Sequence, residues 1–473
     1  MLNNPLIQRY RYSLLRPDQF SIYAVIYISV IGLIFLINAA FHQADNTPNF
    51  STESFNSFYY QFLGFEVLIL VLIAAYNSGS AIKSEVLNKS YDFFRMLPMP
   101  AYQKAIGILV GKNLVILLLA VVNLLFLIFF GVFGEVSPFL QLQVIAVLLS
   151  ITILINSMAL LVSINPMRKN KNSGVWGLIL LLLFIGPFFL QGLFALKYIS
   201  KIENYYIGFF QIKLPILLLI ALIALYFACW AIKGILRKFT REQDPLFSRN
   251  GAILFMLGFE VITLGLYFPY IAKGETIINY SFWLTNFFPA ILIAAFSMIT
   301  FDKYLEYSGL LQNKADGRKT TILSILLYSN LLHGIGLFAI WGIASAAMTF
   351  AMKIPLQPCI YSILILFSFY LFFLMLLELY MVYSPAYSKI GLLLGFIALV
   401  LLFLPLILSA ILDNEQICLY SLFGYFGGLF NKYICRDIKV ETGIIAINAL
   451  FCIICGLFIW KRYNYILAAR KKM

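Results

Sequence analysis

Long apolar runs alternate along this chain with short polar joints, and about twelve such runs recur at nearly constant length. They lie near 20–40, 58–80, 105–133, 139–164, 175–196, 212–232, 251–272, 281–300, 322–350, 359–384, 390–411 and 442–460. About twenty consecutive apolar residues is the length a helix needs to cross a hydrocarbon layer of roughly 30 Å. A membrane barrel would instead show segments of about ten residues in which apolar and polar positions alternate. The pattern predicts an all-α polytopic membrane protein of about 12 transmembrane helices. No small-residue cleavage site follows a short apolar core at the start, so the first run reads as an anchor.

The joints carry the finer pattern. Between the second and third runs lies AIKSEVLNKSYDFFRMLPMPAYQKAIGILVGKN, Ala81 to Asn113. Its first part predicts a short amphipathic helix, with Val86, Phe93, Phe94, Met96 and Leu97 interleaved with Lys83, Glu85, Lys89, Asp92 and Arg95. Pro98 and Pro100 break it, since proline has no amide proton and clashes with the preceding turn. A second helix is expected from near Tyr102 into the membrane past Lys112, without interruption. At the N-terminus, Asn4-Pro5 is a plausible cap, and Leu6, Ile7, Tyr10 and Leu14 share a face opposite Arg9, Arg11 and Arg16. Residues 1–19 therefore read as an interfacial helix with its arginines among lipid phosphates.

Other joints mark the organisation. His42 to Ser57 contains no Lys or Arg, as an outer loop should, and Glu135–Pro138 is a short outer turn. Asn165 to Asn172 is a basic inner turn. Gly186 to Pro215 is too aromatic and apolar for a solvated loop, and predicts helices half-sunk at the outer interface. A similar aromatic segment lies between Asp413 and Glu441. The segment Phe301–Thr321 faintly repeats the order of the Ala81–Lys104 stretch, without its Leu-Pro corner. These echoes predict two six-span halves, 20–232 and 251–460, joined by a cytoplasmic linker at 233–250 and followed by a basic tail at 461–473.

Composition sharpens the class: 62% of the 473 residues are hydrophobic and 11% charged, against roughly 25% charge in soluble domains. The net charge of +14 does not mark a nucleic-acid binder, because its distribution follows the span boundaries and sets topology instead. Arg9/Arg11/Arg16, Arg168/Lys169/Lys171, Arg237/Lys238/Arg241, Arg318/Lys319 and Arg470/Lys471/Lys472 all fall on one side when the spans alternate. Such clusters stay in the cytoplasm, and an even span count places both termini there.

Candidate chemistry is sparse. GILVGKN, Gly107 to Asn113, imitates a phosphate-binding loop but has three residues between its glycines and Asn in place of Ser or Thr. It follows no strand, and it opens a membrane helix, so it is not a nucleotide site. The two histidines, His42 and His333, form no metal motif, and no nucleophile elbow is present. No catalytic residue, metal or cofactor is expected. Cys452 and Cys455 share a helix face and read as packing residues; Cys418 and Cys435 share an outer loop where a disulfide is open either way. Glu66, Glu260 and Glu378 lie inside apolar runs, where a charge costs roughly 2.5–3.5 kcal/mol on insertion scales. Glu66, Glu260 and the intramembrane Asn123 are candidates for a substrate path or proton relay; the alternative is a neutral or paired residue tying helices together. Glu378, near the end of its run, fits the second account.

The order Glu85, then Leu97-Pro98, then Gly111-Lys112, between a second and third span, resembles permease subunits of ATP-binding-cassette exporters of drugs, polysaccharides and lipids. The resemblance covers roughly the first half of the chain. It implies that residues 81–104 are a coupling loop docked on separate ATPase subunits, two of them, which carry the ATP. Glu85, Asp92, Phe93, Phe94, Arg95, Met96, Leu97 and Pro98 would form that contact. The apolar side chains would be its anchors, with Glu85 and Arg95 setting orientation. It also implies the inner membrane of a bacterial cell, with lipid as the surrounding partner. A secondary transporter or lipid-linked-sugar flippase driven by an ion gradient is the other class; a bare anchor or sensor has no extramembrane domain to support it.

Overall fold

The computed structural model describes residues 4–44, 51–87, 96–164, 205–240, 245–273, 276–298, 331–354, 356–383, 403–412, 415–422, 425–426, 429 and 438–470. Ten helices among them are long and apolar enough to span a membrane, and each overlays one of the apolar runs. The runs at 175–196 and most of 390–411 lie outside the described residues, as does the second copy at Phe301–Thr321. The chain divides into two compact units, Met1–Ile207 with Lys213–Glu242, and Gly208–Ile212 with Gln243–Met473.

The first unit opens with α1 (Pro5–Leu14), capped by Asn4, whose side-chain oxygen accepts from the Leu6 N–H at 3.0 Å. Next come α2 (Pro17–Ala44) and α3 (Thr52–Val67), the latter capped by Ser51. A π-helical segment, Leu68–Ile73, leads from α3 directly into α4 (Ala74–Leu87). The second span is thus one continuous path from Thr52 to Glu85. The rest of the expected amphipathic helix, 88–95, lies outside the described residues, and Ala81–Leu87 is the end of the spanning helix itself. Nothing there breaks it, and Ser80 and Ser84 turn their hydroxyls back onto the carbonyls of Asn77 and Ala81 at 3.1 and 2.7 Å.

The third span corrects an expectation. It is not continuous but divides into α5 (Ala101–Gly111) and α6 (Leu114–Phe133), with a turn at Lys112–Asn113. The Asn113 amide donates to the Leu109 carbonyl at 3.0 Å and the Ser78 hydroxyl at 2.9 Å. Asparagine readily bonds nearby backbone in this way, offering the chain an alternative to the helix. Two helices packed side by side in the same direction complete the unit, α7 (Pro138–Ile164) and α8 (Ile216–Thr240). Buried Ala221, Ala224, Ala228 and Ala231 line one face of α8; such small residues let membrane helices approach closely.

Two apolar clusters fill this unit. One, around Phe58, Tyr59, Phe62, Leu70, Leu127 and Phe130, joins α3, the π segment and α6. The other, around Leu6, Ile82, Ala105, Ile108, Leu160 and Ile235, joins α1, α4 and α5 to the ends of α7 and α8. A buried polar set lies between: Ser78 donates to Asn156 Oδ1 at 3.0 Å, and Asn156 donates to the Leu70 carbonyl of the π segment at 3.2 Å.

Residues expected as interfacial helix between Gly186 and Pro215 include a β-hairpin instead, β1 (Tyr206–Phe209) and β2 (Ile212–Pro215). Its two-residue turn takes Phe210 to φ 52°, the left-handed geometry that suits tight hairpins. The Phe210 N–H donates to the Gly265 carbonyl at 2.8 Å, and its ring meets Phe268.

The second unit holds α9 (Arg249–Tyr267), α10 (Thr276–Met298), α11 (Leu331–Ala351), α12 (Leu356–Tyr383), the short α13 (Phe403–Leu412) and α14 (Glu415–Cys418), and α15 (Ile438–Arg470). Its core is aromatic: Trp283, Phe287, Phe338, Trp341 and Tyr370 form consecutive edge and tilted contacts. The Trp341 indole donates to the Trp283 carbonyl, and the Tyr370 hydroxyl to the Gly334 carbonyl at 2.8 Å.

Candidate functional site

The base of the 81–104 stretch is built by three helices, α1, α4 and α5. Their meeting depends on two glycines one turn apart on α5. A Cβ on Gly107 would lie 2.8 Å from Leu6 Cβ, and one on Gly111 would lie 2.5 Å from the Tyr10 ring. The glycines of GILVGKN therefore make a groove for α1. Asn4 fastens the near end, donating to the Gln103 carbonyl at 2.7 Å.

Glu85 closes the assembly. It is 4% exposed, and it accepts from the Tyr10 hydroxyl at 3.0 Å and from the Arg9 guanidinium at 3.1 Å. Lys112 reaches over the same Tyr10 ring and donates to Ser84 at 3.4 Å. Burial, and then the neighbouring Glu85 carboxylate, hold the Tyr10 phenol well above its usual range, so it stays a neutral donor. Arg9, expected among lipid phosphates, turns to Glu85 instead, and the apolar face of α1 packs on α5.

Of the other expected docking residues, Asp92, Phe93, Phe94 and Arg95 lie outside the described residues. Met96 is 75% exposed. Leu97 is half-buried and, with Met99, packs against the chain's own apolar cluster. The Leu-Pro corner is a tight turn in which the Met99 N–H donates to the Leu97 carbonyl at 2.7 Å across Pro98.

The structure brings Glu66 and Asn123 together. Glu66 is 1% and Asn123 0% exposed, and the Asn123 amide donates to Glu66 Oε2 at 2.7 Å and to the Phe62 carbonyl at 3.1 Å. Glu260 stands apart on α9, 3% exposed, with neither carboxylate oxygen hydrogen-bonded. Glu378 is buried on α12, and the buried His333 Nε2 has no hydrogen-bond partner. Cys435 lies outside the described residues. Among those described, no group of three or more His, Cys, Asp or Glu residues comes together.

A cavity of about 350 Å³ lies in the second unit, lined by Phe369, Phe372, Leu408, Tyr420 and Phe451, with Asn448 as its amide. Asn448 donates to Ser368 at 2.9 Å, so the space is lined almost wholly by hydrocarbon.

Asn4, Arg9 and Tyr10 were read from sequence as parts of an interfacial helix and not as partners of Glu85 or α5, and Ser78 and Asn156 were not singled out. The signals were present as small-residue spacing on α5 and as Asn and Ser inside apolar runs. These features define an all-α, multi-pass membrane protein with buried carboxylates and a braced polar joint, an architecture consistent with transport. No protein-family model, curated protein or solved structure matches the chain.

Proposed function

We propose that this chain is the permease of an ATP-driven exporter of the ATP-binding-cassette kind, moving a lipid, glycan or drug across a bacterial inner membrane. Two separate ATPase subunits dock on the 81–104 stretch and drive its motion. The observation that carries this reading is the brace around Glu85. A merely solvated loop needs no such foundation, whereas a loop that transmits force must be anchored in the helices it moves. Arg9, Tyr10, Gly107 and Gly111 fix the base of 81–104 to α1, α4 and α5. The hydrocarbon-lined cavity favours a substrate with an apolar portion, and so a lipid or drug over a bare glycan.

The experiment is a substitution in the proposed docking segment. Met96→Asp and Phe94→Asp should leave membrane insertion intact and weaken co-purification with the ATPase at least tenfold, as the loss of an interface anchor does. Met96 is the cleaner site, because Leu97 also packs within the chain. Full ATPase binding and stimulation in both variants would remove this assignment.

A second reading, a transporter driven by an ion gradient, is favoured by the buried carboxylates Glu66 and Glu260. Under that reading a protonophore stops transport and loss of the ATPase does not. Under the exporter reading the pattern reverses.

A further inference from the structure

Beyond either transport reading, we propose that Glu66 and Asn123 form a binding site for an exchangeable proton, in which a neutral Glu66 carboxyl pairs with the Asn123 amide through two hydrogen bonds. The amide orientation is fixed. Its nitrogen donates to two acceptors, Glu66 Oε2 at 2.7 Å and the Phe62 carbonyl at 3.1 Å. Flipping it would turn an oxygen toward both. The Asn123 Oδ1 left by this arrangement is buried and has no partner. A buried acceptor without a donor is costly, and a buried carboxylate with no cation beside it costs more.

One proton answers both deficits. On Glu66 Oε1 it removes the charge and supplies an O–H that donates to Asn123 Oδ1. The Asn123 N–H already donates to Oε2, so the acid and the amide close a ring. The proton comes from water and returns to it. No fixed cation competes for this role on the neighbouring elements. The titratable groups there are Tyr59, Tyr60 and Glu53 on α3 itself, and Tyr27, Tyr23 and Asp18 among the described side chains of α2. The π segment and α6 contain none. The Tyr27 and Tyr59 hydroxyls are themselves buried without partners.

The location gives the proton leverage. Glu66 lies two residues before the π segment begins, and its bond to Asn123 ties α3 to α6. Losing the proton places a carboxylate beside an unpaired carbonyl oxygen, and the tie between α3 and α6 weakens. Protonation therefore latches these helices and deprotonation frees them.

Infrared difference spectra of the full-length protein in lipid nanodiscs, without any partner, test this directly. Between acidic and alkaline buffer the wild type should lose a carboxylic-acid carbonyl band that Glu66→Gln lacks. Glu66→Gln should still match wild-type thermal stability at acidic pH, because its amide makes the same ring. Asn123→Leu should keep the band and move it to higher frequency, since one hydrogen bond is gone; this variant retains the acid if Glu66→Gln folds poorly. Identical bands in wild type and Glu66→Gln would overturn the proposal. So would a Glu66 band unchanged between about pH 4 and pH 10, a range spanning the ordinary titration of carboxyl and phenol groups. A band that responds to sodium at constant pH would assign the site to a metal cation instead.

Discussion

Glu85 is an acid at the end of a spanning helix, and three features keep it there: a guanidinium, a phenol and a shell of protein that excludes water. A hydrogen bond to a charged group contributes roughly 1.5–3 kcal/mol when buried, and less where one partner is open to solvent. Arg9 is half-exposed and Tyr10 is buried. Tyr10→Phe should therefore cost more stability than its single oxygen suggests, about 1–3 kcal/mol, and Arg9→Ala less. Thermal unfolding of the purified protein measures both. The folded state raises the Tyr10 phenol above its free value, so its contribution is complete below about pH 10. It is lost only as pH rises beyond that. Stability from pH 6 to 9 should not change through Tyr10, and a Tyr10-dependent loss within that range would contradict the burial described.

At the scale of elements, the contact of α1 with α5 depends on absent side chains. Gly111→Leu should drive α1 off its groove, because the added carbons meet the Tyr10 ring and its neighbours. The expected outcome is rapid proteolysis between Leu14 and Phe20 in the variant, with slow cleavage in the wild type. What the sequence made legible here was the face of α1: Leu6, Ile7 and Tyr10 are buried as their spacing predicts. The surface that covers them was not legible, since periodicity records which residues avoid water and not whether lipid or protein meets them. The same limit explains the second span. Hydropathy falls after Tyr76, but a helix ends where its backbone bonds end, and nothing stops them before Leu87. The break at Lys112–Asn113 was hidden for the opposite reason: the apolar run continues through it, and one Asn side chain redirects the backbone. The hairpin at Tyr206–Pro215 was masked by its aromatic content, which reads equally as an interfacial helix.

For the whole molecule, the legible part was the membrane class and the position of ten spans. These follow from run length, which the thickness of the bilayer imposes. The pairing of Glu66 with Asn123, 57 residues apart, was illegible as a contact, although both were visible as polar residues in apolar runs. Topology is the corresponding prediction. The basic clusters predict cytoplasmic termini, so a reporter fused after Met473 and active only outside the membrane should remain silent. Paired fusions after residues 172 and 205 should report opposite sides, because the apolar run at 175–196 separates them. Activity at the C-terminus would make the span count odd and dissolve the two six-span halves.

The π segment also acts on angle. An α-helix turns about 100° per residue, so the 19 positions from Glu66 to Glu85 would set these acids about 100° apart in azimuth on a regular helix. A π-bulge accommodates one extra residue without advancing the turn. Glu66, Ser78 and Glu85 then fall within about 20° of a single line, and all three are buried. Leu68–Ile73 thus works as a phase shifter, letting one helix present its acids to α6 at one level and to α1 at another. Removing a single residue from Leu68–Ile73 should restore a regular α-helix in the same phase, so that Glu85 still faces Arg9. A cysteine pair made by Arg9→Cys and Glu85→Cys should be bridged by a bifunctional thiol reagent in the full-length and the shortened chain alike, and its loss on shortening would contradict this account.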